Sequence, residues 1–262
     1  MDRDEGLLAD VFGNQAMRRD QIQVLHLRAA VQSVNLRLRK LYDHGYLLRT
    51  FPGDAPYGVQ AVYSIGARAV PIVAARLGLE EARVREITRR APTPTFLAHT
   101  LAIVDFYVGL KIEAKSSGLE LVAWDPEMFC LHEYEIRPKG GGSWRKEVFR
   151  PDGHFRLRDR GIVRDGFLEM DLGHTSRRQI LDKFAGYATF VDAGLFRDRY
   201  SGGSPLVAVQ TTGERRLANL VEIATRFPDH DIRITTLDDI LDHGPLASIW
   251  RCADGRRMGL IP

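Results

Sequence analysis

The sequence predicts an α/β (α+β) protein with two domains, at residues 1–91 and 92–262. Three observations carry this prediction. Helical patterns precede a basic strand pair in the first 66 residues, and the threonine- and proline-rich "PTPT" that begins at residue 92 has the composition of a linker. Beyond it, a long helix precedes three strands, a helix and a strand. A chain of 262 residues is long enough to form a core in each domain.

The N-terminal domain reads as two helices followed by a hairpin. "RRDQIQVLHL" predicts the first helix, and "SVNLRLRKLYDHGYL" predicts a second that begins at the N-cap Ser33 and ends at Gly45. Its buried stripe would consist of Val34, Leu38 and Leu41. "YLLRTF" and "VQAVYSIG" read as strands joined by the turn "PGDAPYG". This order is that of a winged helix-turn-helix.

A winged helix binds DNA by placing a helix in the major groove and its hairpin on the backbone. The second helix and the start of the wing carry suitable donors, and the predicted DNA-binding residues are Asn35, Arg37, Arg39, Lys40 and Arg49. Arginine and asparagine can form bidentate bonds to bases, whereas lysine mainly contacts phosphate. Double-stranded DNA is therefore the expected partner. The alternative is a winged helix used for dimerisation or protein contact.

Charge and cysteine usage narrow the class of protein. The net charge is only +3, but arginines cluster locally, which indicates either basic faces for nucleic acid or an ordinary solvated surface. Two distant cysteines, Cys130 and Cys252, exclude a disulfide framework. No run approaches the roughly 18 apolar residues of a membrane span, and the N-terminus is acidic rather than signal-like. We expect a cytoplasmic protein without a membrane partner.

The C-terminal domain follows two helical segments, "AVPIVAARLGL" and "EEARVREITRRAPTPT". Its own predicted elements are a long helix that Gly118 ends, strands at "LELVAW", "EVFRPDGHFRLR" and "GFLEMDLG", a helix at "SRRQILDKFAGYATFVDAG", a strand at "PLVAVQTT", a helix at "RLANLVEIATRF" and a strand at "IRITT". A mixed sheet flanked by helices is the simplest way to bury this order.

Three acids interrupt strands in this domain. Side chains alternate along a strand, so Glu169 and Asp171 share one face, while Leu168, Met170 and Leu172 point to the core. Asp152 can join the two acids across a hairpin. Clustered carboxylates repel one another unless a cation neutralises them, and Mg²⁺ or Mn²⁺ prefers oxygen ligands. The sequence therefore predicts a metal site at Asp152, Glu169 and Asp171.

Lys183 is the fourth predicted catalytic residue. It lies at the edge of the buried stripe of the next helix, one turn from Tyr187. From there it could reach the acids, orient a water or stabilise charge on a phosphate. A lone lysine in this position is, alternatively, a surface residue.

Other side chains are weaker candidates for the same site. His154 and His174 follow the acids closely enough to act as a ligand or a general base. Glu113 on the long helix, and less strongly Glu127, are candidates for a further acid.

The second half resembles the PD-(D/E)xK nuclease fold, whose core is helix, three strands, helix, strand. "PD" at 151–152 and "EMD" at 169–171 are similar to its Pro-Asp and Glu-x-Lys motif. The resemblance implies Mg²⁺-dependent phosphodiester hydrolysis by an endonuclease. Asp171 stands where that motif has lysine, so Lys183 would be a migrated substitute.

Read together, both halves resemble the replication-relaxation family of plasmids and other mobile elements. The likeness covers roughly residues 17 to 250 and is strongest in "RPDG", "FLEMD" and "LDKFAGY". It implies a winged helix joined to a nuclease-like domain, in proteins associated with replication, relaxation or mobilisation of DNA. Replication, transfer or transposition proteins are the implied partners, and a homodimer is the expected assembly of a winged-helix protein.

Two hypotheses of function stay open at this point. One is a DNA-binding protein with a metal-dependent endonuclease domain. The other is a non-catalytic DNA-binding regulator of replication or transcription that retains a degenerate nuclease fold.

Overall fold

The computed structural model describes residues 2–27, 29–51, 60–89, 94–136, 143–200 and 203–261. The chain divides into two compact units, Met1–Val108 and Gly109–Pro262. The predicted domain boundary between residues 91 and 92 lies outside the described residues, and so does the predicted turn at residues 52–58.

The first unit combines helices with a small sheet. Its elements are α1 (Asp2–Gly13), β1 (Met17–Arg18), α2 (Arg19–Ile22), α3 (Val31–Asp43), β2 (Leu47–Thr50), β3 (Val62–Ile65), α4 (Val70–Leu77), α5 (Glu81–Thr88) and the larger part of α6 (Pro94–Ser116). A π-helical turn at Gln23–Leu27 continues α2. The strands form an antiparallel sheet in the order β1-β3-β2. The predicted pair of helices and strands is present, and α1 and β1 were missed.

Helix α3 confirms the predicted buried stripe of Val34, Leu38 and Leu41. The predicted start at Ser33 was wrong. The helix begins at Val31, and the amide of Val34 already donates to the carbonyl of Ala30. No side chain caps this end, so a search for a capping residue could not find it. Gly45 follows the helix with φ +71°, a left-handed conformation that glycine adopts without strain.

The second unit is built on a seven-stranded mixed sheet. Its elements are β4 (Glu120–Pro126), β5 (His132–Ile136), β6 (Arg145–Phe149), β7 (Gly153–Asp159), β8 (Ile162–Asp171), α7 (Arg177–Asp192), α8 (Leu195–Tyr200), β9 (Leu206–Thr211), α9 (Glu214–Ala224), β10 (Asp231–Thr236), α10 (Leu237–His243), β11 (Trp250–Cys252) and β12 (Arg257–Met258). The strand order is β12-β11-β10-β9-β8-β7-β4. Strands β8, β9 and β10 run parallel, and the remaining pairs are antiparallel.

The strand predicted at "EVFRPDGHFRLR" is two strands in two sheets. Strand β6 pairs with β5 in a separate two-stranded sheet, whereas β7 pairs with β4 and β8. Arg150, Pro151 and Asp152 lie between the two strands. Proline lacks the amide hydrogen that a ladder requires, so a break at Pro151 is expected.

Helices α7 and α9 cover one face of the large sheet. Their aromatic and aliphatic side chains form one buried cluster with Phe167 of β8, Val209 of β9 and Ile234 of β10. Leu168 and Met170 alternate to the opposite face and are buried as well. Because both faces of β8 are covered, Glu169 and Asp171 are buried rather than exposed to solvent.

Candidate functional site

The pairing of β7 with β8 brings two of the predicted acids together. Gly153 is the register partner of Leu168, which places Asp152 beside Glu169. The amide of Asp152 donates to the carbonyl of Leu168 at 3.0 Å, and the amide of Met170 donates to Asp152 Oδ2 at 2.7 Å. Both carboxylates are buried. Backbone hydrogen bonds therefore fix Asp152 at the end of β8.

Helix α7 brings Lys183 to both acids. The ammonium of Lys183 donates to Glu169 Oε2 and lies 3.9 Å from Asp152 Oδ2. One turn later, the hydroxyl of Tyr187 donates to Glu169 Oε1 at 2.5 Å. The side chain of Lys183 is 38% exposed, so this is where the site meets solvent. We call Asp152, Glu169, Lys183 and Tyr187 the acid–lysine cluster.

Burial and charge shift the pKa values inside the acid–lysine cluster. Burial raises the pKa of Glu169 to about 8, and the negative charge of Asp152 adds to the rise that Lys183 opposes. Burial disfavours the charge on Lys183, but Glu169 and Asp152 outweigh it and raise the pKa of the ammonium. Burial and Glu169 together raise the pKa of Tyr187 well above its ordinary value. Lys183 is thus a fixed cation, and Tyr187 a fixed hydrogen-bond donor.

Asp171 contacts a different helix. Arg216 of α9 donates to it from Nε at 2.6 Å and from Nη2 at 3.2 Å, and Thr211 donates from its hydroxyl at 3.0 Å. Burial would raise the pKa of Asp171, but the hydrogen bonds from Arg216 and Thr211 lower it overall. Asp171, which stands at the position of the motif lysine, therefore forms a bidentate ion pair with Arg216.

The acids thus have protein cations as partners. Lys183 pairs with both Asp152 and Glu169, and Arg216 pairs with Asp171. In the described ranges, no group of three histidine, cysteine, aspartate or glutamate residues is arranged to hold a metal ion. The sequence predicted that Lys183 could reach the acids, but it did not indicate that Arg216 would pair with Asp171.

Two carboxylates nevertheless fit one class of metal. Mg²⁺ is commonly held by one or two carboxylates, with water and substrate phosphate completing its shell. Asp152 and Glu169 offer such a pair, and the Lys183 ammonium beside both shows that their surroundings stabilise a cation. Asp171 offers no comparable position, because both of its oxygens accept from Arg216.

His154 has a different role from the one expected. Its Nδ1 lies 2.9 Å from Asp125 Oδ2, and its Nε2 lies 2.8 Å from Asp165 Oδ1. Arg156 also donates to Asp165, at 2.8 Å. Burial lowers the pKa of His154, but the two carboxylates outweigh burial and raise it overall. With both ring nitrogens bonded to acids, the imidazole is not placed to bind a metal.

Sequence reasoning missed Asp125, Asp165 and Arg156. The signal for Asp165 was present, because it lies four residues before Glu169 on the same strand and so on the same face. Asp125 became visible only through the pairing of β4 with β7, which places it opposite His154.

The other candidate residues, Glu113, Glu127 and His174, do not belong to the acid–lysine cluster. Glu113 Oε2 accepts from the amide of Leu246 at 2.8 Å, so it secures the loop after α10. Glu127 lies 3.8 Å from Arg150, and its charge contributes to the raised pKa of Lys183. His174 is exposed after β8.

Three of the predicted DNA-binding residues lie on the exposed side of α3. Asn35, Arg39 and Lys40 are exposed, and Arg39 Nε lies 3.5 Å from Asp43 in a solvent-facing pair. Such pairs contribute little to stability, so the guanidinium can exchange partners.

The other two predicted DNA-binding residues have partners in the first unit. Arg37 donates from Nε to Asp4 of α1 at 2.9 Å. The Arg49 guanidinium lies 4.6 Å from the ring centre of Tyr42 and 5.6 Å from that of Phe51, as in cation–π contacts. Asn35, Arg39 and Lys40 are therefore exposed to solvent, whereas Arg37 and Arg49 already contact other side chains of the protein.

Comparison with known proteins gives one match. The family model described as Replication-relaxation matches residues 8–207. No curated protein and no solved structure matches the chain. Across the residues that the structure describes, no helix has the length and apolar character to cross a membrane.

Proposed function

Because the chain belongs to the replication-relaxation family, as its motifs predicted, we propose that it binds DNA of a mobile element and cleaves it with a divalent metal. One observation carries the catalytic part. Two strands and a helix bring Lys183 into contact with both Asp152 and Glu169, although Lys183 lies 31 positions after Asp152 in the sequence.

The element order supports a nuclease-like assignment of the second unit. Helix α6, whose C-terminal part belongs to the second unit, strands β4, β7 and β8, helix α7 and strand β9 follow the order helix, three strands, helix, strand. Strands β5 and β6 are inserted between β4 and β7, and α8 is inserted between α7 and β9. The two acids lie at the β7–β8 pair and the lysine lies on the following helix. In the first unit, α3 and the β2–β3 pair support the winged helix-turn-helix assignment.

Each residue of the acid–lysine cluster has a role in this proposal. Asp152 and Glu169 would hold Mg²⁺ or Mn²⁺, which when bound supplies positive charge to a phosphate oxygen. Lys183 would then turn from the acids to the attacking water or to the charge that develops on the phosphate. Tyr187 keeps Glu169 oriented through its hydroxyl. Asp171 would position the end of β8 through Arg216 and bind no metal.

Incubation of supercoiled plasmid with Mg²⁺ tests the proposal. The protein should convert the plasmid to nicked or linear DNA, and Glu169→Gln should stop this conversion. Asp238→Asn, which changes an exposed acid on α10, is the matched control and should cleave like the wild type. Equal cleavage by Glu169→Gln and the wild type would remove the acid–lysine cluster from the reaction.

A second function, a non-catalytic DNA-binding regulator, is favoured by the ion pairs themselves. Lys183 and Arg216 already pair with the buried acids, and burial raises the pKa of Glu169, so the acids have partners in the protein without a metal. Salt-dependent DNA binding without cleavage, in Mg²⁺ and also in Mn²⁺, would support this function over hydrolysis.

A further inference from the structure

Leu36 is the most exposed of three large apolar side chains on α3, at 56% against 47% for Val31 and 38% for Tyr42. The buried stripe of Val34, Leu38 and Leu41 defines the inner side of this helix. At 3.6 residues per turn, Leu36 lies almost directly opposite that stripe, and it is 56% exposed. Leu36 therefore contributes little to the core of the free protein.

The neighbours of Leu36 on the helix surface are polar or cationic. Gln32 lies four residues before it, and Arg39 and Lys40 lie three and four residues after it, all exposed. A single exposed leucine is ordinary on a protein surface. This one lies at the centre of the face that the proposed function directs towards the major groove, between groups that suit a polyanion.

We propose that Leu36 is a specificity-determining residue that contacts the C5-methyl group of a thymine in the DNA site. In the major groove, a thymine presents an apolar methyl group beside its hydrogen-bonding atoms, and apolar side chains recognise that methyl. Arg39 and Lys40 would contact guanine or phosphate on either side. This inference rests on the proposed DNA binding but not on cleavage.

The charge of the face decides between DNA and a protein partner. A second copy of the chain would have to bring acids to Arg39 and Lys40, whereas a DNA phosphate backbone supplies negative charge along its whole length. DNA thus offers phosphates to Arg39 and Lys40 and a thymine methyl group to Leu36.

Removal of the thymine methyl group tests the inference. A binding site is first selected from random duplexes, and each thymine in it is then replaced by uracil, which pairs identically but lacks the methyl. At one position the replacement should weaken wild-type binding about fourfold, the contribution of one buried CH₂-sized group. The same replacement should have no effect on Leu36→Ala, because the two changes remove one contact.

Leu241→Ala is the matched control, since Leu241 on α10 is 79% exposed and should keep the full response to uracil. If the protein binds the selected duplex but tolerates uracil at every position, the inference is overturned and the proposed DNA binding stands. If no duplex binds in a salt-dependent way, the proposed DNA binding fails, and the inference fails with it. If Leu36→Ala instead abolishes self-association and leaves the uracil response intact, this face is a protein interface and the inference is wrong.

Discussion

Lys183 and Arg216 determine how the acids of the second unit behave. Strand alternation predicted that Glu169 and Asp171 share a face, a predicted hairpin brought Asp152 to them, and the helical pattern placed Lys183 within reach. The sequence could not assign partners, because Arg216 lies 45 residues beyond Asp171 and only the parallel pairing of β8 with β9 brings α9 to the end of β8. The residues of the site were predictable from local pattern, whereas their division into two ion-paired groups was not.

The ion pair of Asp171 with Arg216 predicts a pH-dependent contribution to stability. A carboxyl whose pKa is lowered on folding stabilises the native state above its unfolded pKa and loses that effect as the pH falls through the folded pKa. Asp171→Asn should therefore lower the free energy of unfolding by about 2 kcal/mol at pH 7. The difference in stability between the wild type and Asp171→Asn should shrink once the pH falls below 3.8, the ordinary pKa of an aspartate.

Urea unfolding between pH 7 and pH 3 measures this difference. Asp182→Asn is the control, because Asp182 is 71% exposed and lies 4.0 Å from Arg178. It should change stability little at any pH in this range. A difference for Asp171→Asn that stays constant down to pH 3 would contradict the lowered pKa.

At the scale of elements, the contact between β7 and β8 positions the acids. Gly166 of β8 is the register partner of Phe155 of β7, and a Cβ at Gly166 would lie 2.1 Å from Cζ of that ring. The Phe155 side chain thus occupies the space above Gly166. Alternation predicted the strands, but the need for glycine at this position is visible only across the pair.

Substitution of Gly166 tests this packing. Gly166→Ala should destabilise the protein by about 1–3 kcal/mol, because the ring of Phe155 must move. Gly186→Ala on α7 is the matched control, since a Cβ there meets nothing within 4 Å. It should stabilise the protein by about 0.5–1 kcal/mol through lower backbone entropy of the unfolded chain. Equal effects of both changes on the urea midpoint would contradict the packing described for β7 and β8.

At the scale of the whole molecule, a net charge of +3 is too small to drive the proposed DNA binding by overall attraction. Under the proposed function, the local face with Arg39 and Lys40 would supply most of the attraction. Residue order predicted two helices and a hairpin in the first unit, and helix, strands and helix in the second. It missed the buried helix α1 and several short elements, namely β1, β5, α8, α10, β11 and β12. Short strands depend on pairing with residues distant in sequence, which local pattern does not reveal.

Salt dependence of DNA affinity tests the contribution of this face. Lys40→Ala should weaken binding to all sequences to a similar extent and reduce the slope of log K against log salt by about 1, as expected for one lost phosphate contact. Arg85→Ala on α5 is the control, because Arg85 lies 2.8 Å from Glu81 in an exposed pair. An unchanged slope for Lys40→Ala would show that Lys40 does not contact a phosphate and that the DNA binds another surface.

The central claim is that Asp152 and Glu169 together hold a divalent cation beside Lys183. Its most direct test is the melting temperature in Mg²⁺, compared with NaCl of equal ionic strength. At tenfold excess over the dissociation constant, binding should raise the melting temperature by about 3–6 °C. We expect this rise for the wild type and for Asp171→Asn, and its loss in Asp152→Asn and Glu169→Gln. No rise in the wild type, or an equal rise in all four proteins, would contradict it.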